Sequence, residues 1–101
     1  MYADLFPNEL GAWQRRGATV LDVREPHEFA AGHIPGSINL PLGRLNEQAE
    51  QVPEPVVLVC ASGGRSSTAA ELLSLVGKTE VGHLMGGLAA YVRQGYTLER
   101  E

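Results

Sequence analysis

Cys60 is the only cysteine of the chain, and it ends the apolar run Val56-Val57-Leu58-Val59. Ala61-Ser62-Gly63-Gly64-Arg65-Ser66-Ser67 follows it, a short run of small residues that closes on an arginine and two serines. The run before Cys60 suits a strand covered on both faces. The residues after the loop suit a helix, because Ala69, Leu72, Leu73 and Val76 recur at i, i+3, i+4 and i+7. One sulfur is thereby placed at the carboxyl end of a buried strand, facing the N-terminus of a helix. A thiolate is the reactive form of cysteine, and its pKa falls near a helix N-terminus or a cationic side chain. Unpartnered N–H groups and the peptide dipoles supply positive potential there. Gly63 and Gly64 are expected to take positive φ and turn successive N–H groups inward as an anion-binding nest. Ser66 or Ser67 is the expected N-cap, and Arg65 is expected to place a permanent positive charge beside the sulfur. A buried cysteine that only fills space has no need of two glycines, an arginine and a capping serine, so the loop is read as binding an anion around a charged Cys60.

The surrounding elements must hold that loop. Pro7 to Arg16 reads as a helix with Leu10 and Trp13 on one side and Gly17 closing it. Thr19 to Val23 is short and β-rich. His27 to Ala31 reads as one or two helical turns, stopped by Gly32 and the turn signal Pro35-Gly36. Ser37 to Leu40 reads as a strand. Leu42, Leu45, Ala49 and Val52 have roughly helical spacing before Pro53. Glu80 to Leu84 reads as a weaker strand and Leu88 to Gln94 as a last helix. Strands alternating with helices argue for a parallel α/β sheet. Ligands of such sheets bind at the carboxyl ends of strands, where Cys60 lies.

Composition narrows the function. With 101 residues, 44% of them apolar, the chain is expected to form one domain over residues 1–101 with an ordinary core. A formal net charge of −4 argues against a general affinity for nucleic acid or for anionic membrane. One cysteine excludes an internal disulfide framework. Neither a basic-then-apolar leader nor a bilayer-length apolar stretch is visible, so a cytoplasmic location is expected. Three scattered histidines and one cysteine offer no metal-ligand spacing, and neither a metal nor an organic cofactor is expected.

Three segments resemble the signatures of the single-domain rhodaneses, a sulfurtransferase family. Leu21-Asp22-Val23-Arg24-Glu25-Pro26-His27-Glu28-Phe29, continued by Gly32-His33-Ile34-Pro35-Gly36-Ser37-Ile38-Asn39-Leu40-Pro41, is similar to the N-terminal signature. Cys60 to Ser66 is similar to the active-site loop, and Leu84-Met85-Gly86-Gly87-Leu88-Ala89-Ala90-Tyr91 with Gly95 to the C-terminal signature. Order and spacing agree over residues 21–95. Tyr91 stands where the family often has tryptophan, Lys78 where an aromatic is common, and the tail after Gly95 lacks a frequent proline; none of these touches the loop. The resemblance implies a single rhodanese-like domain: a central, mostly parallel five-stranded sheet with helices on both faces.

The resemblance also implies a two-step transfer. Cys60 would take the outer sulfur of a donor such as thiosulfate as a persulfide and pass it to cyanide or a thiol. N–H groups from Ala61, Ser62, Gly63, Gly64 and Arg65 would stabilise the charge, with Ser66 completing the loop. Arg65 would attract the anionic donor or brace the loop. Asp22 and Arg24 are expected to form a buried ion-pair network that supports the loop rather than to move a proton. His33, within Gly-His-Ile-Pro-Gly, is expected to bond backbone in a turn. His27 and His83 are read as ordinary surface or core residues, and Glu25, Glu28, Glu47 and Glu50 as solvated faces. Three alternatives stand beside this reading. A persulfide carrier in a protein sulfur relay would use the same chemistry at Cys60. A cysteine phosphatase would use a loop one residue longer than the four residues Ala61 to Gly64 between cysteine and arginine. A non-catalytic binding or sensing module would be expected to lack the cysteine.

Overall fold

The computed structural model describes residues 1–101. Strand β4 (Val56–Val59) is its axis: all four residues are buried, as a strand covered by helices on both faces requires. Around it, β1 (Ala3–Leu5), β2 (Thr19–Asp22), β3 (Ile38–Asn39) and β5 (Val81–Leu84) complete a five-stranded sheet in the order β1-β5-β4-β2-β3. Every neighbouring pair is parallel. The helices are α1 (Leu10–Arg15, entered through a 3-10 turn at Pro7–Glu9), α2 (Pro26–Ala31), α3 (Leu42–Gln48, continued by a 3-10 turn at Ala49–Gln51), α4 (Gly64–Leu75) and α5 (Gly87–Arg93).

Side chains alternate across β4 and divide the interior in two. Val56, Leu58 and Cys60 join Leu45, Ala49, Ala69, Ala70 and Leu73 of the α3–α4 side. Val57 and Val59 join Leu10, Leu88 and Tyr91 of the α1–α5 side, with Trp13 packed against them. The apolar stripe of α4 is rotated from the expected one: Ala69, Ala70 and Leu73 are buried, while Val76, at the helix end, is 41% exposed.

Four of the five strands lie where the sequence places them, with ends trimmed by one residue or so. The fifth, β1, is not written as an apolar run, because Ala3-Asp4-Leu5 buries only Leu5. It exists through its pairing, with Ala3, Asp4 and Leu5 in register with Gly82, His83 and Leu84 of β5. No helix is long and apolar enough to cross a membrane.

Candidate active site

Cys60 follows β4 directly and is 1% exposed. Its carbonyl accepts the Leu88 N–H at 2.9 Å, and the Ala61 carbonyl accepts the Ala89 N–H at 3.1 Å. The free N–H groups at the start of α5 thus anchor the first two residues of the loop. Such close approach requires glycine at position 87, where φ is +60°. A Cβ there would run into the Cys60 carbonyl oxygen and lie 2.7 Å from the Ala61 carbonyl.

The sulfur is held by donors from the loop and from the first turn of α4. Sγ accepts the Gly63 N–H at 3.1 Å and the Ser66 N–H at 3.3 Å, and it lies 3.4 Å from Ser66 Oγ. Burial pushes the thiol pKa up. The Ser66 hydroxyl and the N–H groups of Ser66, Gly63 and Ser62 outweigh it and bring the pKa below the ordinary thiol value. The cradle is therefore present, built differently from the expected one in three respects. Of the N–H groups from Ala61 to Arg65 those of Ser62 and Gly63 address the sulfur, and the Ser66 N–H joins them. Only Gly63 of the pair takes a left-handed conformation (φ +117°), and Gly63 is also the N-cap of α4. Neither Ser66 nor Ser67 caps the helix. A helix that starts at Gly64 puts the Ser66 N–H under the sulfur, and a start at either serine would carry that donor away. The Ser67 hydroxyl instead donates to the Gly64 carbonyl at 2.9 Å.

Arg65 braces the loop. Its guanidinium donates to both carboxylate oxygens of Glu28, at 2.7 and 3.0 Å, the fork geometry of a bidentate pair. Glu28 also accepts the Glu25 N–H at 2.9 Å, so one carboxylate ties the start of α2 to the active loop. Led by the Arg65 hydrogen bonds, these contacts pull the Glu28 pKa down from 4.5 to about 2. Glu28 is thus not the freely solvated side chain expected of it.

Asp22 and Arg24 form the buried pair the sequence suggests. Arg24 Nε and Nη2 donate to the Asp22 carboxylate at 2.9 and 2.8 Å, and Nη2 also donates to the Gly32 carbonyl at 2.7 Å. Asn39 donates to the Arg24 carbonyl at 2.9 Å and so pins β3 to the same point. Arg24 reaches a cleft of about 440 Å³ that it lines with Ala61, Leu88, Val92 and Arg93, beside the mouth of the loop. His33 bonds backbone as expected, with Nδ1 2.8 Å from the Phe29 carbonyl and its ring stacked on Phe29 at 3.8 Å.

His83 was assigned no part at the site by sequence, and the structure brings it there. It is buried, with Nδ1 2.9 Å from Ser66 Oγ. In β5 it pairs with Leu58, which shares a sheet face with Cys60. The pairing register between β4 and β5 is the signal that would have found it.

A parallel α/β domain that presents one hydrogen-bonded cysteine at the end of its central strand is the class that fold and site define. The chain belongs to the rhodanese-like domain family, whose model matches residues 6–94. It is 37% identical over 83 residues to a thiosulfate sulfurtransferase GlpE of Stutzerimonas stutzeri, covering 80% of this chain and 76% of that one. A Bacillus subtilis protein named provisionally as a sulfur carrier, YrkF, is 35% identical over 68% of this chain and 38% of its own length. Among solved structures, a rhodanese-related protein of Thermoplasma volcanium superposes with a TM-score of 0.87 at 33% identity, covering 99% of this chain and 100% of that one. Two further curated relatives are longer, and the chain spans 59% and 51% of their lengths.

Proposed function

We propose that the protein is a sulfurtransferase that carries one sulfane sulfur on Cys60. The single observation behind this is the convergence of the Gly63 and Ser66 N–H groups and the Ser66 hydroxyl on one buried sulfur. These donors fit a sulfur that must bear negative charge before and after loading. In the first half-reaction the Cys60 thiolate attacks the outer sulfur of thiosulfate. The S–S bond of the donor breaks, sulfite leaves with the bonding pair, and a Cys60 persulfide anion remains. In the second, cyanide or a thiolate attacks the terminal sulfur, and the pair from the Cys60–S bond returns to Sγ. Neither step needs an outside oxidant or reductant. Of the two arginines lining the cleft beside Ala61, Arg24 is paired with Asp22, so the Arg93 guanidinium is the one left to meet an anionic donor.

The sulfur carrier name borne by one relative favours a second reading, in which another protein loads Cys60. The loop of four residues between Cys60 and Arg65 makes a tighter cradle than a phosphatase loop and suits a sulfur atom better than a phosphoryl group. Intact-mass measurement after incubation with thiosulfate, with and without cyanide, tests these readings together. The expected outcome is a gain of one sulfur mapped to Cys60, removed by cyanide and absent in Cys60→Ser. No gain from thiosulfate but loading from a protein persulfide would select the carrier. Hydrolysis of a phenyl phosphate without sulfur transfer would overturn the proposal.

A further inference from the structure

A chain of three side chains leads from the buried sulfur toward solvent. Cys60 Sγ lies 3.4 Å from Ser66 Oγ, and Ser66 Oγ lies 2.9 Å from His83 Nδ1. Cys60 and Ser66 are 1% and 0% exposed and His83 is 7% exposed, so the ring is the most accessible of the three. His83 Nε2 has no hydrogen-bond partner in the protein yet is not sealed off, since Ser74 Oγ is the one buried and unpartnered side-chain polar atom. Nε2 is therefore the wet end of the chain.

Ser66 has one hydroxyl hydrogen and three neighbours that could take it: the sulfur, His83 Nδ1 and, at 3.3 Å, the Gly63 carbonyl. A bare Nδ1 at 2.9 Å takes that hydrogen for itself. A protonated Nδ1 donates to Ser66 Oγ instead and leaves the hydrogen to the strongest remaining acceptor, an anionic sulfur. The tautomer of His83 and the charge of Cys60 are thereby linked.

We propose that His83 is a positioning residue for Cys60, which it serves through Ser66 both as the orienter of the hydroxyl and as the exit for the thiol proton. With the thiol protonated, S–H donates to Ser66, Ser66 donates to Nδ1, and the ring carries its hydrogen on Nε2. On ionisation the thiol proton moves to Ser66 Oγ, the Ser66 hydrogen moves to Nδ1, and the Nε2 hydrogen leaves to water. One proton is released, one negative charge appears on sulfur, and the imidazole stays neutral. Burial pushes the His83 pKa down against the opposing pull of Asp4, in keeping with a neutral ring. Asp4 faces His83 from β1, the Tyr2 ring meets it edge-on at 6.0 Å, and Cys60 faces it across Ser66. On α4 the charged residues are Arg65, which is paired with Glu28, and Glu71, which lines a groove with Tyr2. The proposal rests on Cys60 being the reactive sulfur, but its readout is the titration of the thiol and not sulfur transfer, so the two can fail separately.

The test is the pH dependence of iodoacetamide alkylation at Cys60 in the unaltered chain, His83→Leu and His83→Asn. His83→Leu, which removes the donor, is expected to slow alkylation roughly 3- to 10-fold below the thiol transition and to move the midpoint upward. The Asn amide nitrogen can donate from near the Nδ1 position, so His83→Asn is expected to stay within about 2-fold of the unaltered chain. Long-range proton–nitrogen spectra of the unaltered chain are expected to show His83 with its hydrogen on Nδ1 once Cys60 is ionised, a readout that needs no variant to fold. A His83→Leu profile that superimposes on the unaltered one would overturn the proposal. So would His83→Asn as slow as His83→Leu, or an Nε2–H tautomer beside an ionised Cys60.

Discussion

Ser66 makes more contacts with the Cys60 sulfur than any other single residue. Its backbone N–H and its hydroxyl both address the sulfur, and its hydroxyl also meets His83. A hydrogen bond to a charged group is worth about 1.5–3 kcal/mol, and about 1.4 kcal/mol is one pH unit of titration. Ser66→Ala keeps the backbone donor and removes the hydroxyl, so the Cys60 alkylation midpoint is expected to rise by roughly one to two pH units. An unmoved midpoint would mean that the two N–H groups hold the charge alone. The cysteine and its cradle were legible in the sequence because they are local, all within Cys60 to Ser66. The partners that tune them were not. His83 is 17 residues from Ser66, and Glu28 is 37 residues from Arg65. Such contacts follow from strand order and register, which residue spacing does not encode. That is why the sequence leaves open whether Arg65 meets an anionic donor or braces the loop, and why it places Glu28 on a solvated face.

Two elements aim the loop, and each can be weakened separately. The start of α5 lies against the Cys60 and Ala61 carbonyls only because position 87 has no side chain. Gly87→Ala adds a backbone clash to an unfavourable φ and is expected to cost roughly 2–4 kcal/mol in urea unfolding. Unchanged stability there would mean that α5 can withdraw from the loop without loss. On the other flank, Glu28 joins α2 to Arg65. Because the Arg65 side chain is 38% exposed, solvent screening reduces the worth of this pair, and Glu28→Gln is expected to cost only about 1 kcal/mol near pH 7. The pH dependence has a definite sign. The native pKa of Glu28 is pulled from 4.5 to about 2, so between those values the unfolded chain binds more protons than the native one. The stabilisation is complete above about pH 4.5 and fades as pH falls toward 2. Urea midpoints of the unaltered chain and Glu28→Gln should therefore differ most at neutral pH and converge in acid. A gap that persists at the acid end would place its origin elsewhere than in this ion pair.

At the scale of the whole molecule, β4 belongs to both halves of the interior at once. Val56, Leu58 and Cys60 pack on the α3–α4 side, while Val57 and Val59 pack on the α1–α5 side. A continuous apolar run ending in a turn is the pattern of such a strand, which is why β4 was the most legible element of the fold. β1 was the least legible, since three residues with one buried side chain form a strand only when β5 offers its edge. With the middle strand shared, neither layer of helices can detach and leave the other with a covered core. Unfolding should then be a single transition. Trp13 packs against the α1–α5 cluster, while Ala69 and Leu73 of α4 belong to the α3–α4 cluster, so they report on opposite sides. Urea midpoints read from Trp13 fluorescence and from the amide NMR signals of Ala69 and Leu73 are expected to coincide. Leu58→Ala, at a fully buried position on the α3–α4 side, should cost about 2–5 kcal/mol and move both midpoints together, although Trp13 lies across the sheet from it. Were Leu58→Ala to advance the α4 transition and leave the Trp13 transition in place, the two layers would be independent folding units and β4 would not couple them.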